Sequence, residues 1–527
     1  MAEDFKKKLE GAGALRSVVS EINVEGAFLN FTLSPEFLRA QFLSSLIRAN
    51  GRIADSRAKK GRVVLVEYSS PNIGKSLSIA HIRSTVIGDA LARMYRFLGH
   101  RVIADNHLGD WGLQAGALIA AYKLWEERPV SQLTIEDWTE LYVRFSREKK
   151  EHLELESKAK METVLLQKGD RDSVKIWKAI SAVSRREFDR MYRLLGVQFD
   201  KTLGESFYRK LFRKTVQTAL QSGVAKESEG AIVIPMNGDP ATTLTAGDPP
   251  FIIQKNDGGY LYGTFDLATM QYRLKRFKPS LMLYVVANEQ SLYFTQLFHA
   301  AEKLGWVEPG RAAHVKFGMV RGEDSKRLST RAGKTIALSG VIEEAVVRAR
   351  KIVVEKNSEL SESEKDEVAR MVGVGALKYN DLSQNRNTDI TFDWDTMLDF
   401  QGNSAPYLQY TYARLRSILR KTPTPAPKIL GKFGMLGSLK ERAELALMKK
   451  SLQLSEAVED AAKEYVPNLL ANYLWELANE ANAFYEKYPV LRAERGVREA
   501  RLALIDGASR VLQRGLSLLG IEAPERV

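Results

Sequence analysis

The run Ser69-Ser70-Pro71-Asn72-Ile73-Gly74-Lys75-Ser76-Leu77-Ser78-Ile79-Ala80-His81 gathers hydroxyls, a carboxamide, an ammonium and an imidazole in one stretch. Placed just ahead of a helix, these groups join free backbone N–H donors and the positive end of the helix dipole, a setting that favours phosphate. Gly74-Lys75-Ser76 is also the tail of a Walker A sequence. That motif needs a glycine five residues before its second glycine. Position 69 is a serine, so a P-loop is excluded. The plainer alternative is an ordinary strand–helix–strand unit with a polar loop. Polar chemistry also collects at Gly109-Asp-Trp-Gly112, at Asn288-Glu-Gln290 and in the basic loop over residues 321–334.

Elements must hold these groups. Arg62-Val-Val-Leu-Val-Glu67-Tyr68 is a continuous β-branched run, bounded like a strand buried on both faces. From His81 onward, Ile82, Val86, Ile87, Ala90, Leu91, Met94 and Leu98 recur on one face of a helix. Gly99 closes it, and residues 101–105 read as the next strand. The twelve residues between, 69–80, are long for such a turn, and long loops are usually functional. Residues 118–230 are helix-rich and charged, and they interrupt the strand–helix alternation as an insertion would. The sheet is expected to resume at residues 251–254, followed by a hairpin turn at 256–259. Thr264 is placed to cap a helix that carries Asp266. A buried strand over 281–287 ends at Asn288-Glu-Gln290, a helix spans 292–304, and a strand over 314–320 empties into the basic loop. Before this unit lie a strand at 28–33, a helix at 36–49 and a basic linker at 57–61. From residue 340 the pattern is nearly all helical, with Pro423, Pro425 and Pro427 marking a stiff linker.

Composition bounds the function. A chain of 527 residues with 44% hydrophobic content predicts two to four domains with substantial cores. Lys and Arg total 78 against 65 acids, and the net +13 suits a polyanionic partner. There is no cysteine, which excludes disulfides and thiolate zinc sites. The six histidines form no HExxH pattern, so no protein metal site is expected. The first residues lack an apolar signal core, and no apolar run has membrane-spanning length. A soluble cytoplasmic protein with no membrane contact is expected, and a monomer.

Val66-Glu-Tyr-Ser-Ser-Pro-Asn-Ile-Gly-Lys75 and Ser78-Ile-Ala-His-Ile-Arg-Ser-Thr85 together resemble the signature of the arginyl-tRNA synthetases, a class I family. Ser78 to His81 occupy that family's "HIGH" site, with Ser78 in place of the first histidine and Ala80 in place of glycine. Residues 327–331, Arg-Leu-Ser-Thr-Arg, stand at its "KMSKS" site with Thr330 where lysine is usual. Gly109-Asp-Trp-Gly112 and Leu203-Gly-Glu-Ser-Phe-Tyr208 are family-like markers, as is the ending Leu518-Leu-Gly-Ile-Glu-Ala-Pro-Glu-Arg526. The resemblance runs from Val24 to the end.

The resemblance implies an α/β fold: a Rossmann-type parallel sheet with a helical insertion, a short N-terminal domain and an all-α anticodon-binding bundle. The corresponding expected domains are 1–56, 57–400 with its insertion at 118–250, and 401–527. It implies an arginine–tRNA ligase that uses ATP with Mg²⁺, L-arginine and tRNA(Arg). Glu67 and Asp266, with Tyr262 one helical turn from Asp266, are expected to hold the guanidinium, since a planar five-donor cation calls for coplanar carboxylates. Asn72 and Gln290, beside Ser69 and Ser70, are expected to hold the α-carboxylate and α-amino group. Lys75, Ser78 and His81 on one side, and Arg327, Ser329 and Arg331 on the other, are expected to neutralise the pyrophosphate. Taken singly, each has a plainer reading: Asp266 as a helix-end acid, Glu67 as a strand-end charge, Gln290 as a helix-start polar residue, Lys75 as a solvated loop lysine. Another class I branch is disfavoured by these acids and by the missing cysteines. A catalytically impaired tRNA-binding paralogue is the alternative from a different functional class.

Overall fold

The structure is a computed structural model that describes residues 1–10, 15–48, 61–236, 244, 247–321, 337–422 and 435–527. The linker at 57–60, the prolines at 423, 425 and 427, and the basic loop with Arg327, Ser329, Arg331 and Lys334 lie outside the described residues.

Val19–Glu25 (β1) and Phe28–Leu33 (β2) pair antiparallel across Gly26, whose φ of 62° suits a residue without Cβ. The Pro35–Arg48 helix follows. Its Phe42 is fully buried against Gly507, where an added Cβ would meet the Phe42 ring at 2.4 Å. Arg39 donates twice to the Leu439 carbonyl, at 3.1 and 3.0 Å. This helix is therefore packed into the C-terminal bundle.

The β-branched run forms β3, Val63–Glu67, buried along four of its five residues. The twelve-residue turn leads into the Ala80–Phe97 helix, and β4, Arg101–Leu108, lies parallel to β3 from Val63↔Arg101 to Glu67↔Asp105. Lys201–Gly204 (β5) then pairs parallel with the end of β4. Lys226–Ser228 (β6), Ala231–Ile234 (β7) and Phe251–Gln254 (β8) make a separate antiparallel sheet. Leu281–Tyr284 (β9) pairs with β3, and Ala312–His314 (β10) pairs with β9. The central order is β10-β9-β3-β4-β5, all parallel. Successive strands step outward from β3 to β5, and the chain then returns to β9 on the opposite side. The turns after β3 and β9 thus part at a topological switch point, where open sheets bind ligands. Val320–Arg321 (β11) and Ile390–Thr391 (β12) form a short parallel pair.

Two expectations need correction. The interrupting segment is not wholly helical: after the helices Leu113–Trp125, Ile135–Glu148, Glu154–Lys168 and Arg171–Leu194, β5 rejoins the central sheet as its edge. Four residues are too few to show a strand period. The sheet does not resume at 251–254 either, because β8 belongs to the small antiparallel sheet.

The helices Leu338–Lys356, Glu362–Leu382, Ala405–Arg420, Arg442–Leu452, Leu454–Lys463, Asn468–Lys487 and Arg495–Leu518 share one apolar core with the Ala80–Phe97 helix. Tyr95 donates to the Ala462 carbonyl at 2.9 Å, and Arg93 to the Ser517 carbonyl at 3.3 Å. Arg83 pairs with Asp381 at 3.0 Å, both buried.

Candidate active site

Beyond β3 the chain turns through Ser69 and Ser70, with φ of 68° and 44°. Non-glycine residues in this left-handed region cost on the order of 1–3 kcal/mol each and persist only when their surroundings over-determine them. Here they do. Ser69 N–H donates to Ser84 Oγ (2.9 Å), and Ser84 Oγ donates to the Val285 carbonyl (2.7 Å). Ser69 Oγ lies 2.8 Å from the Tyr192 hydroxyl and accepts from Thr85 Oγ1 at 3.0 Å. Ser70 N–H donates to Asn106 Oδ1 at 3.1 Å. The Ser69 hydroxyl is therefore directed toward Tyr192 and Thr85. Ser70 Oγ is buried with no partner among the described residues.

Asn72 bridges to Gly109 in parallel fashion and is exposed. A Cβ on Gly109 would lie 1.8 Å from Asn72 Oδ1, so only glycine leaves room for that carboxamide. The insertion helices grip the rest of the loop: Gly74 N–H donates to Ser184 Oγ (2.8 Å) and Ser76 N–H to Thr139 Oγ1 (3.2 Å). Lys75 Nζ rests 3.8 Å above the centre of the Tyr142 ring. His81 Nδ1 accepts from the Ser78 N–H at 3.1 Å and lies 2.9 Å from Ser78 Oγ. The ring proton then sits on Nε2 as a donor. Burial, reinforced by the Lys75 charge, lowers His81 to about 4, so this imidazole is neutral at working pH.

Acids gather at the opposite side of the cleft. The helix carrying Asp266 runs Tyr262–Phe277 and begins at an extended Leu261. Thr264 does not cap it, as the spacing predicts, but donates to the Ile253 carbonyl. Tyr262 and Asp266 share one helix face, and Tyr262 is 63% exposed at the cleft mouth. Asp266, about a quarter exposed at 26%, accepts from the Tyr293 hydroxyl and lies 4.0 Å from His107 Nε2. Burial pushes Asp266 up to about 7; the Tyr293 bond opposes this, the Glu67 charge adds to it, and Arg273 opposes it.

Glu67 does not stand free. Arg273, fully buried, lies 2.5 Å from Glu67 Oε2 and donates to Asp105 Oδ2 at 3.1 and 2.8 Å. Burial works against the Arg273 charge, but Glu67 and Asp105 outweigh it and hold the guanidinium protonated. Glu205, on the short turn Glu205–Tyr208 after β5, is buried and held well above the usual carboxylate range, by burial first and then by the charges of Asp266 and Asp110. Among the described residues, Glu205 Oε2, Asp105 Oδ1 and the Tyr208 hydroxyl are buried without protein partners. The cleft thus holds four carboxyls against the Arg273 cation, with acceptors to spare. Its chemistry suits an incoming cation with several N–H donors.

Gln290 ends the exposed turn Asn288–Gln290 beyond β9. The residues flanking 322–336 are fastened to the same floor. β11 pairs with β12, Ala337 bridges Ser78, and Leu338 N–H donates to the Leu77 carbonyl at 2.8 Å.

The family profile for "tRNA synthetases class I (R), catalytic domain" matches residues 43–394, and that for the "DALR anticodon binding domain" matches 408–527. The arginine–tRNA ligase of Chloroflexus aurantiacus is 40% identical over 524 residues, 97% of this chain and 88% of that protein. The chain belongs to the arginyl-tRNA synthetase family. Arginyl-tRNA synthetases from Thermus thermophilus and Plasmodium falciparum superpose with TM-scores of 0.83 and 0.82 at 27% and 26% identity. Each match covers the whole of this chain and 92% or 91% of the other. Within this synthetase, sequence reasoning missed two residues. Glu205 lies inside a marker stretch noted only for its likeness, and its acid neighbours are brought to it by an edge strand too short to read. Tyr293 carries no local signal; it meets Asp266 only because two helices pack side by side.

Proposed function

We propose that this cleft activates L-arginine and that the residues above divide the work. As a member of its family the chain is an arginine–tRNA ligase: ATP and L-arginine give arginyl-adenylate and pyrophosphate, and the arginyl group passes to the 3′-terminal ribose of tRNA(Arg). The observation that carries the reading is the buried excess of carboxyls around Asp266 and Glu205, short of one multi-donor cation. In this reading the arginine guanidinium enters between Asp266 and Glu205, while Glu67 and Arg273 shape the wall behind it. Asn72, Ser70 and Gln290 orient the α-carboxylate and α-amino group. The carboxylate oxygen attacks the α-phosphorus, and pyrophosphate departs with its electron pair. The attacking carboxylate is already ionised, so no side chain must take a proton. Catalysis is positioning and charge neutralisation. The neutral His81 donates Nε2–H to phosphate, Lys75 moves from the Tyr142 ring toward the leaving group, and Arg327, Ser329 and Arg331 act from the opposite side. Mg²⁺ arrives on the nucleotide, and the protein works as a cytoplasmic monomer. Residues 57–400 act as the catalytic unit and 401–527 as the tRNA-binding bundle, with 1–56 as a short tRNA-contacting element.

Ser78 gives no support to an impaired paralogue, since its backbone N–H fixes His81 in the donating tautomer. Amino-acid-dependent pyrophosphate exchange over all standard amino acids, with and without tRNA, tests the reading. Exchange with arginine and tRNA is expected; exchange driven by a different amino acid would overturn it.

A further inference from the structure

Asp110 stands two residues beyond β4, and its carboxylate is fully buried. Both of its oxygens accept from one residue, Ser206: the backbone N–H at 2.9 Å on Oδ1 and the hydroxyl at 2.7 Å on Oδ2. In the opposite direction, the Trp111 backbone N–H faces the Glu205 carboxyl. The turn after β4 and the turn after β5 therefore clasp each other reciprocally, Asp110 to Ser206 and Trp111 to Glu205. The clasp leaves no slack. A Cβ on Gly204 would lie 2.2 Å from Asp110 Oδ2. Trp177 Nε1 donates to the Asp110 carbonyl at 2.7 Å, which pins the same turn to the Arg171–Leu194 helix. Glu205 begins a four-residue helical turn that has no side-chain cap of its own. Its backbone is located by the β5 pairing of Gly204 with Leu108 on one side and by the bond pair from Ser206 to Asp110 on the other.

We infer that Asp110 is a positioning residue: through Ser206 it sets Glu205 in the guanidinium pocket and thereby governs how tightly the enzyme selects arginine. This rests on the reading of Glu205 as a guanidinium acid. A glutamate carboxylate on a short turn gives bidentate geometry only if the backbone that carries it is fixed to a fraction of an ångström. Asp110→Asn keeps one acceptor for the Ser206 N–H but replaces the hydroxyl's acceptor with an amide. Ser206→Ala removes the hydroxyl bond alone.

The test is tRNA-dependent pyrophosphate exchange on the full chain, with active sites titrated, for Asp110→Asn, Ser206→Ala, Glu205→Gln and the Asp110→Asn/Glu205→Gln pair. Asp110→Asn should raise the KM for arginine about tenfold, the order expected for losing a hydrogen bond to a charged group, with the KM for ATP unchanged. Ser206→Ala should move the same constant in the same direction by less. In the double variant the loss should match Glu205→Gln alone, because both changes act through one contact. Losses that multiply in the double variant, or a fall in kcat and a rise in the ATP KM alongside the arginine KM, would overturn the inference and leave Asp110 a general fold residue. If Glu205→Gln leaves the arginine KM unchanged, the pocket reading itself fails, and the inference with it. Should Asp110→Asn not fold, Ser206→Ala carries the same comparison: an unchanged arginine KM there overturns the proposal.

Discussion

Asp266, pushed up to about 7, is part protonated in the empty pocket at neutral pH, and a protonated carboxyl cannot pair with a guanidinium. Arginine must therefore displace a proton to bind. Its KM should fall as pH rises through about 7, and steady-state exchange between about pH 5.5 and 8.5 will show the profile. Asp266→Asn should flatten that profile and cost about 3–5 kcal/mol of transition-state binding, as for breaking a buried charge pair. Turnover within about tenfold of the parent would place recognition elsewhere. The same shift acts on stability with a definite sign. An unfolded carboxyl titrates near 3.9, below the folded value, so the ligand-free fold loses stability as pH rises from about 4 through 7. Asp266→Asn should thus raise the Tm of the empty protein at pH 8 and leave it nearly unchanged near pH 4, measured by calorimetry. Lys75→Ala should slow adenylate formation by about 100-fold with little change in ATP affinity, in single-turnover assays, as for one preorganised donor. At this scale the sequence was legible wherever residues share a strand end or a helix face: Glu67 ends β3, His81 opens the helix after it, and Tyr262 and Asp266 share a helix face. It was silent on pairing across elements. Nothing local tells that Arg273 reaches Glu67, that Tyr293 reaches Asp266, or that Ser69 turns inward to Tyr192.

The long turn between β3 and its helix keeps one shape because its donors are met from three directions: Asn106 on β4, and Thr139 and Ser184 on the insertion helices. The floor of this turn has no spare volume at Gly109. Gly109→Ala would force Asn72 aside, and overpacking of this kind costs about 1–3 kcal/mol. The expected outcome is a raised KM for arginine with a Tm lowered by a few degrees; a parent-like KM would detach Asn72 from substrate binding. β3, the Ala80–Phe97 helix and β4 were legible because a long apolar run and a 3.6-residue period leave little choice. β5 and β8 were not, because four-residue strands take their partners from tertiary packing. The cap of the Tyr262–Phe277 helix was misplaced by three residues, since Thr264 donates to a neighbouring strand and Leu261 holds the cap position with no side-chain bond.

Across the whole molecule, the N-terminal helix belongs to the C-terminal core. Phe42→Ala should cost about 3–5 kcal/mol, as for large-to-small changes in a packed interior, readable as a shift in denaturant midpoint. Removing residues 1–55 should expose that core and impair solubility. The net +13 predicts that log affinity for tRNA falls steeply with log salt, and a flat plot would contradict it. The division into a sheet-bearing half and a helical half was legible from the patterning, but the docking of the Pro35–Arg48 helix onto the last helix was not, since contacts separated by hundreds of residues leave no periodic trace. The Ala80–Phe97 helix carries His81 at its first turn and is bonded to the bundle near its other end, through Tyr95 and Arg93. Eighteen residues span about 27 Å at 1.5 Å each, so a tilt of about 3° at the bundle moves the far end by roughly 1.4 Å. A misplacement of about 1 Å is enough to change a rate 100-fold. The helix is thus a lever arm with its fulcrum in the RNA-holding half, and RNA-free protein should show little arginine-dependent pyrophosphate exchange until tRNA sets the angle.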